Sequence, residues 1–169
     1  GLYVYNFSNR RLKNITLANL PTGEKENDVN HIFIDHQGFI WLATGSLVLK
    51  CQYSEGNIHI LKLYPIFAVS DMQEDSNGKI WIATFSTDIY SISPGSNIPI
   101  KTQVINANFD FISSILKEHN GNLLLSAFNQ NLIQLNPYTG KKIALNIPDM
   151  KKCIRRSVFI PTDVKQDSK

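Results

Sequence analysis

Apolar residues along this chain come in short runs rich in Ile, Val, Leu, Phe and Thr, broken by clusters of Asn, Gly, Asp, Ser and Pro. Such punctuation marks strands and turns. No stretch keeps a 3.6-residue apolar period for three turns, so little helix is predicted. Two of the runs, "FIWLAT" (39–44) and "KIWIAT" (79–84), are apolar on both parities. A strand with one wet face alternates, so these two strands are predicted to be covered on both faces.

Those runs belong to a repeat. "DHQGFIWLAT" (35–44) returns as "DSNGKIWIAT" (75–84), and more loosely as "EHNGNLLLSAF" (118–128), where Leu124 stands in the Trp position and Ser126 in the Ala position. The turn glycines Gly38, Gly78 and Gly121 are 40 and 43 residues apart. Each is preceded by a first strand (29–35, 68–75, 112–118) and followed by the Trp or Leu strand. A third strand (47–53, 88–93, 131–136) and a variable fourth (about 58–63, 100–105, 141–145) complete the unit. A period of this length with four strands per repeat predicts an all-β fold, a β-propeller fragment of four-stranded antiparallel blades. "GLYVYN" (1–6) and "NITLAN" (14–19) read as the third and fourth strands of a preceding unit. "RSVFIPTDVKQDSK" (156–169) reads as the first strand of a following one. The predicted segments are 1–20, 28–63, 67–105, 111–146 and 156–169, about four blades' worth of a larger propeller.

The repeated Asp–x–x–Gly has a mechanical reading. An Asp side chain accepts backbone N–H bonds within a tight turn, and Gly supplies the positive φ that closes it. Asp35 with Gly38, Asp75 with Gly78, and Gly121 are therefore assigned to turns, and Trp41 and Trp81 to packing between blades. Each Trp brings roughly 150–250 Å² of apolar area. One carboxylate per turn is too few for a calcium loop.

Composition narrows the class without naming a chemistry. With 43% hydrophobic and 18% charged residues, the chain reads as an ordinary globular one. It has no apolar stretch near the ~20 residues that span a bilayer and no secretory leader, so no membrane contact by this segment is expected. Its first residue is Gly rather than Met, which suggests a piece of something longer. Cys51 and Cys153 show no CxxC spacing and read as free thiols in a core. The formal charge of +3 is uneven, since eight of the 17 basic residues fall in 141–169. No aromatic residues alternate with them, so a solvated loop is favoured over a nucleic-acid surface.

The string V–x–x–I–x–x–D–x–x–G–x–I–W–I–A–T, carried by Val29 to Thr44 and Ala68 to Thr84 and loosely by Ile112 to Ala127, resembles the two-component regulator propeller repeat. "GLYVYN" resembles the third strand of the same motif. The resemblance implies the periplasmic sensor region of a Bacteroides-type hybrid histidine kinase, a non-catalytic segment that responds to oligosaccharide. The alternative is a propeller interaction module, or the platform of a secreted carbohydrate-active enzyme. The sequence departs from the pattern after the Thr, where "TGSL", "TFSTDI" and "AFNQNL" replace the usual Gly-Leu. No kinase element is present in these residues.

His31, His36, His59 and His119 make no HxH or HExxH pair, so no metal or cofactor is expected. No G-x-S-x-G elbow occurs. In a propeller, the loops between second and third strands and between blades open on one face, with the Asp turns on the other. This places Asn27, Asp28 and Asn30, Tyr64 and Phe67, and Asn108, Asp110 and Phe111 on a candidate ligand face. Phe85, Ser86, Thr87, Asp88, Phe128, Asn129 and Gln130 join them, with Arg155 and Arg156 at the next junction. Phe among Asn, Asp and Arg suits a sugar, which stacks on a ring and hydrogen-bonds through its hydroxyls. The competing reading is that Phe85 and Phe128 plug the blade top. The other expected partners are the remainder of the propeller or a second copy of the chain, engaged through open sheet edges.

Overall fold

In the computed structural model, which describes residues 2–15, 17, 28–105, 111–128 and 132–145, the secondary structure consists of strands and turns. The predicted segment 156–169 lies outside the described residues. The chain divides into two units, Gly1–Val69 and Ser70–Lys169.

The first unit holds a two-stranded sheet, β1 (Leu2–Asn6) and β2 (Arg11–Ile15), and a four-stranded antiparallel sheet. The latter runs in chain order through β3 (His31–Ile34), β4 (Ile40–Ala43), β5 (Val48–Ser54) and β6 (Asn57–Tyr64). The fourth strand anticipated at 14–19 begins earlier, at Arg11, because the preceding turn is tight. Asn6 Oδ1 accepts from the backbone N–H of Ser8 and Asn9, and Asn9 Oδ1 from that of Arg11. Arg10 completes the reversal at φ +56°. One face of this hairpin (Leu2, Ile15, then Leu17) is buried with Leu42, Leu47, Leu49 and Cys51 of the four-stranded sheet.

The second sheet is β7 (Val69–Glu74), β8 (Ile80–Thr84), β9 (Asp88–Ile92) and β10 (Ile100–Gln103). The third is β11 (Ile112–Lys117), β12 (Leu123–Ala127), β13 (Leu132–Leu135) and β14 (Lys142–Leu145). Both are antiparallel and run in sequential order, the topology expected when short loops join neighbouring strands. Between them lies a core of Trp81, Ala83, Ile89, Ile112, Ile115, Leu123, Leu125 and Ile133. All five residues of β8 are buried, as its two-parity apolar pattern required.

The repeated letters form one hydrogen-bonded device. Asp35 Oδ1 accepts from the N–H of Gln37 (3.1 Å) and Phe39 (2.9 Å), while Asp35 Oδ2 accepts from Trp41 Nε1 at 2.9 Å. Asp75 does the same with Asn77 (2.8 Å), Lys79 (3.1 Å) and Trp81 Nε1 (3.0 Å). Gly38 and Gly78 sit at φ +84° and +75°, where a side chain would be strained. The final Thr has a task as well, since Thr84 Oγ1 donates to the carbonyl of Asp88 at 2.9 Å and closes the next loop. In the third copy both ends of the Asp–Trp bond are gone together. Asn120 Oδ1 accepts from Asn122 N–H, and Glu118 Oε2 accepts from Gln134 Nε2 at 2.6 Å.

Candidate functional site

The loop joining β8 to β9, residues 85–87, is held by its own backbone. Ser86 O accepts from Ile112 N–H (3.0 Å), and Thr87 O from the N–H of Val104 (2.9 Å) and Ile105 (3.2 Å). Phe111 O accepts from Phe128 N–H at 2.8 Å. Three of the sequence-predicted aromatic residues are brought together by these bonds. The Phe111 and Phe128 rings stack with centroids 4.9 Å apart and planes 7° from parallel. Phe85 meets Phe111 edge-on at 5.6 Å and 67°. An edge-to-face ring on a stacked pair is a favoured aromatic arrangement, worth about 0.5–1.5 kcal/mol per contact beyond area burial.

Phe85 is the ring that meets solvent, 57% exposed, whereas Phe111 and Phe128 are half-buried. The trio therefore divides the two readings of its phenylalanines. Phe128 packs as a plug would, and Phe85 leaves an apolar face open. Beside it, Thr84 Oγ1 and Ser86 Oγ are 2.7 Å apart, and Ser86 Oγ also accepts from Asp88 N–H. Asp88 itself is engaged, because Lys101 Nζ lies 2.8 Å from its Oδ2. That partner raises the pKa of the exposed Lys101 ammonium, by hydrogen bond first and charge second. Asp88 thus offers a ligand an ion pair rather than a bare carboxylate.

In the first unit Asp28 and Asn30 are exposed, and Asn30 N–H donates to Ala43 O at 2.8 Å. Phe67 is exposed too, but Tyr64 is buried at the end of β6 and stacked on Trp41 at 5.8 Å and 19°. Tyr64 therefore cannot stand on a ligand face as the loop assignment had it. Register explains the difference, since β6 runs on to residue 64 opposite Val48. Asn27, Asn108, Asp110, Asn129, Gln130, Arg155 and Arg156 lie outside the described residues.

One residue that sequence reasoning passed over organises the inner strands. Asp71 Oδ2 of β7 accepts from Ser114 Oγ (3.0 Å) and Ile115 N–H (2.9 Å) of β11, while its Oδ1 accepts from Met72 N–H at 2.8 Å. The repeat gave no signal for it, because the matching positions seven residues before the turn glycine hold His31 and Ser114. Cys51 is buried, and desolvation pushes its thiol up to about 12, which suits a core residue and not a nucleophile. Among the described residues no three His, Cys, Asp or Glu side chains come together as a metal site would require. Nor is any helix there long and apolar enough to cross a membrane.

No curated protein matches this sequence. Solved structures do match its fold. The extracellular domain of a one-component system of B. thetaiotaomicron aligns over 99% of this chain and 23% of its own, with a TM-score of 0.76 and 19% identity. The extracellular domain of a hybrid two-component system of the same organism aligns over 87% of this chain and 21% of its own, with a TM-score of 0.64 and 18% identity. A virginiamycin B lyase of Staphylococcus aureus reaches a TM-score of 0.64 at 17% identity, over 82% of this chain and 46% of its own. The chain spans less than a quarter of the two B. thetaiotaomicron domains. These likenesses fix the fold as β-propeller blades, a fold that serves receptors and enzymes alike. Residues 23–46 and 68–86 match the two-component regulator propeller family, and both segments contain the Asp–x–x–Gly–x–Ile–Trp device described above. The chain thus carries two-component regulator propeller repeats, in two matched copies.

Proposed function

We propose that the chain is a ligand-sensing segment of the extracytoplasmic, periplasmic part of a two-component sensor histidine kinase, non-catalytic in itself and responsive to oligosaccharide. The observation that carries the sensor reading is the match of residues 23–46 and 68–86 to two-component regulator propeller repeats. The extracellular domains among its structural neighbours support the location.

The carbohydrate reading rests on the aromatic trio. Phe85 offers a flat apolar surface on a backbone-anchored loop, next to the half-buried Ser86 hydroxyl, which the buried Thr84 hydroxyl holds in place. Sugar-binding sites combine such a ring with a few fixed polar groups. The trio contains no free carboxylate, and a neutral sugar ring needs none.

A glycan array probed with the intact extracytoplasmic region tests this, with Phe85→Ala as the control. The expected result is a glycan whose signal falls at least tenfold in the variant. Absence of any binder would exclude the carbohydrate reading. Ligand-dependent autophosphorylation of the full-length parent tests the sensor reading separately.

A further inference from the structure

Each intact Asp–Trp device carries an ammonium over its indole, but the two ammoniums come from different places. In the first, Lys50 of β5 lies 5.3 Å from the Trp41 ring and 4.0 Å from that of Phe39. In the second, Lys79 takes the position of Phe39, four residues after the turn Asp, and lies 5.2 Å from the Trp81 ring. Their charges are met differently. Lys50 Nζ is 3.9 Å from Asp35 Oδ2, whereas among the described residues Lys79 makes no ion pair. Asp75 spends Oδ1 on the Asn77 and Lys79 amides and Oδ2 on the Trp81 indole.

A second ring comes to Lys79 from the third sheet. Tyr138, in the turn between β13 and β14, has its ring centroid 6.0 Å from Lys79 Nζ. Cation–π attraction fades by about 6 Å, so the two rings offset little of the charge. The Tyr138 ring is 59% exposed, yet it is held at both ends. Asn136 Oδ1 accepts from the N–H of Tyr138 and Thr139, and Asn77 Nδ2 donates to the Tyr138 hydroxyl at 2.7 Å. A ring tied down this way loses little freedom when a ligand stacks on it. Because the phenol oxygen accepts from Asn77, its own O–H is left to donate outward. The half-buried Lys79 ammonium, the Tyr138 O–H and the second Asn77 N–H thus place three donors beside one open ring.

From this arrangement we infer that Asn77, Lys79 and Tyr138 form a binding site for a small carboxylic acid whose carboxylate is carried on a ring. The ligand ring stacks on Tyr138, and its carboxylate pairs with the Lys79 ammonium. The Asn77 amide and the Tyr138 hydroxyl donate to its oxygens. One ammonium with two neutral donors balances a single negative charge, which favours a carboxylate over a phosphate carrying nearly two. A sugar acid and an aromatic acid share this chemistry. The site is separate from the aromatic trio, because Lys79 and Phe85 flank opposite ends of β8, six residues or about 20 Å apart. Its occupancy is therefore independent of any ligand at Phe85.

NMR titration of the whole chain tests this, with D-glucuronate and benzoate as probes and acetate, D-glucose and sulfate as controls at constant ionic strength. The expected result is a saturable shift of the Asn77 side-chain amide and Tyr138 ring signals. The better of the two probes, which identifies the ring, should bind at least about fivefold more tightly than acetate. Lys79→Gln and Tyr138→Ala should each weaken it at least about tenfold, with circular dichroism showing that both variants fold. No saturable shift up to about 50 mM, or unaltered affinity in either folded variant, would overturn the proposal. An equal response to glucose, acetate or sulfate would do the same, by removing the need for the charge, the ring or the carboxylate. Shifts confined to the Phe85, Phe111 and Phe128 signals would move the acid to the aromatic trio and overturn this site alone.

Discussion

Replacing Trp81 by Phe removes one hydrogen-bond donor from a buried carboxylate and little else of the turn. Asp75 is 5% exposed, and its Oδ1 keeps the Asn77 and Lys79 amides, but its Oδ2 loses the indole N–H at 3.0 Å. A hydrogen bond to a charged group contributes about 1.5–3 kcal/mol, and an unsatisfied buried acceptor adds its desolvation cost. The smaller ring also leaves a gap in the core shared with Ile112, Leu123 and Leu125. Together these predict a loss of about 2–4 kcal/mol. Urea denaturation followed by circular dichroism measures it, and hydrogen exchange at the Asn77 and Lys79 amides locates it. The decisive control is a cycle with Asp75→Asn, where the two changes should be coupled by about 1–2 kcal/mol, as for any directly bonded pair. Strict additivity would refute the reasoning and reduce Trp81 to an apolar filler.

Three further outcomes are expected. Gly121→Ala should cost about 1 kcal/mol by thermal or urea unfolding through its φ of +85° alone, since an added Cβ meets nothing within 4 Å. Asp71→Ala should cost about 2–4 kcal/mol by urea unfolding and raise exchange at the Ile115 amide, because it frees two donors of β11 at once. Cys51, whose thiol burial pushes from 9.0 to about 12, should resist thiol reagents at pH 8 until the chain is unfolded, as peptide mapping would show. Its contribution to stability should be constant below pH 9.0 and fall as pH rises toward about 12, because there the unfolded chain releases a proton that the folded chain keeps.

Most of the architecture was readable from spacing, and the reason is physical. A blade covered on both faces must repeat its apolar strands at a fixed period, and a tight turn must repeat its Asp and Gly. The sheet orders and the buried β8 follow from those constraints. The β2 boundary was less legible, because the Asn6 and Asn9 caps that advance it depend on side-chain direction and not on hydrophobic period. Of the candidate site, Phe85, Phe111 and Phe128 were found as residues, but their stacking was not, since 17 positions separate Phe111 from Phe128 and only register brings them together. Asp71 left no trace at all. Its partners are a serine hydroxyl and a backbone amide, and neither demands a matching letter in the other copies.

The Asp71 bridge has a mechanical consequence. One carboxylate on β7 holds both a side chain and a main-chain amide of β11, Ser114 Oγ and Ile115 N–H, while its other oxygen is steadied by the N–H of Met72 next to it. Sliding β11 along its length would break both of these bonds at once. Across this seam the link is the Asp71 carboxylate on Ser114 and Ile115, so exchange at the Ile115 amide should report opening between β7 and β11.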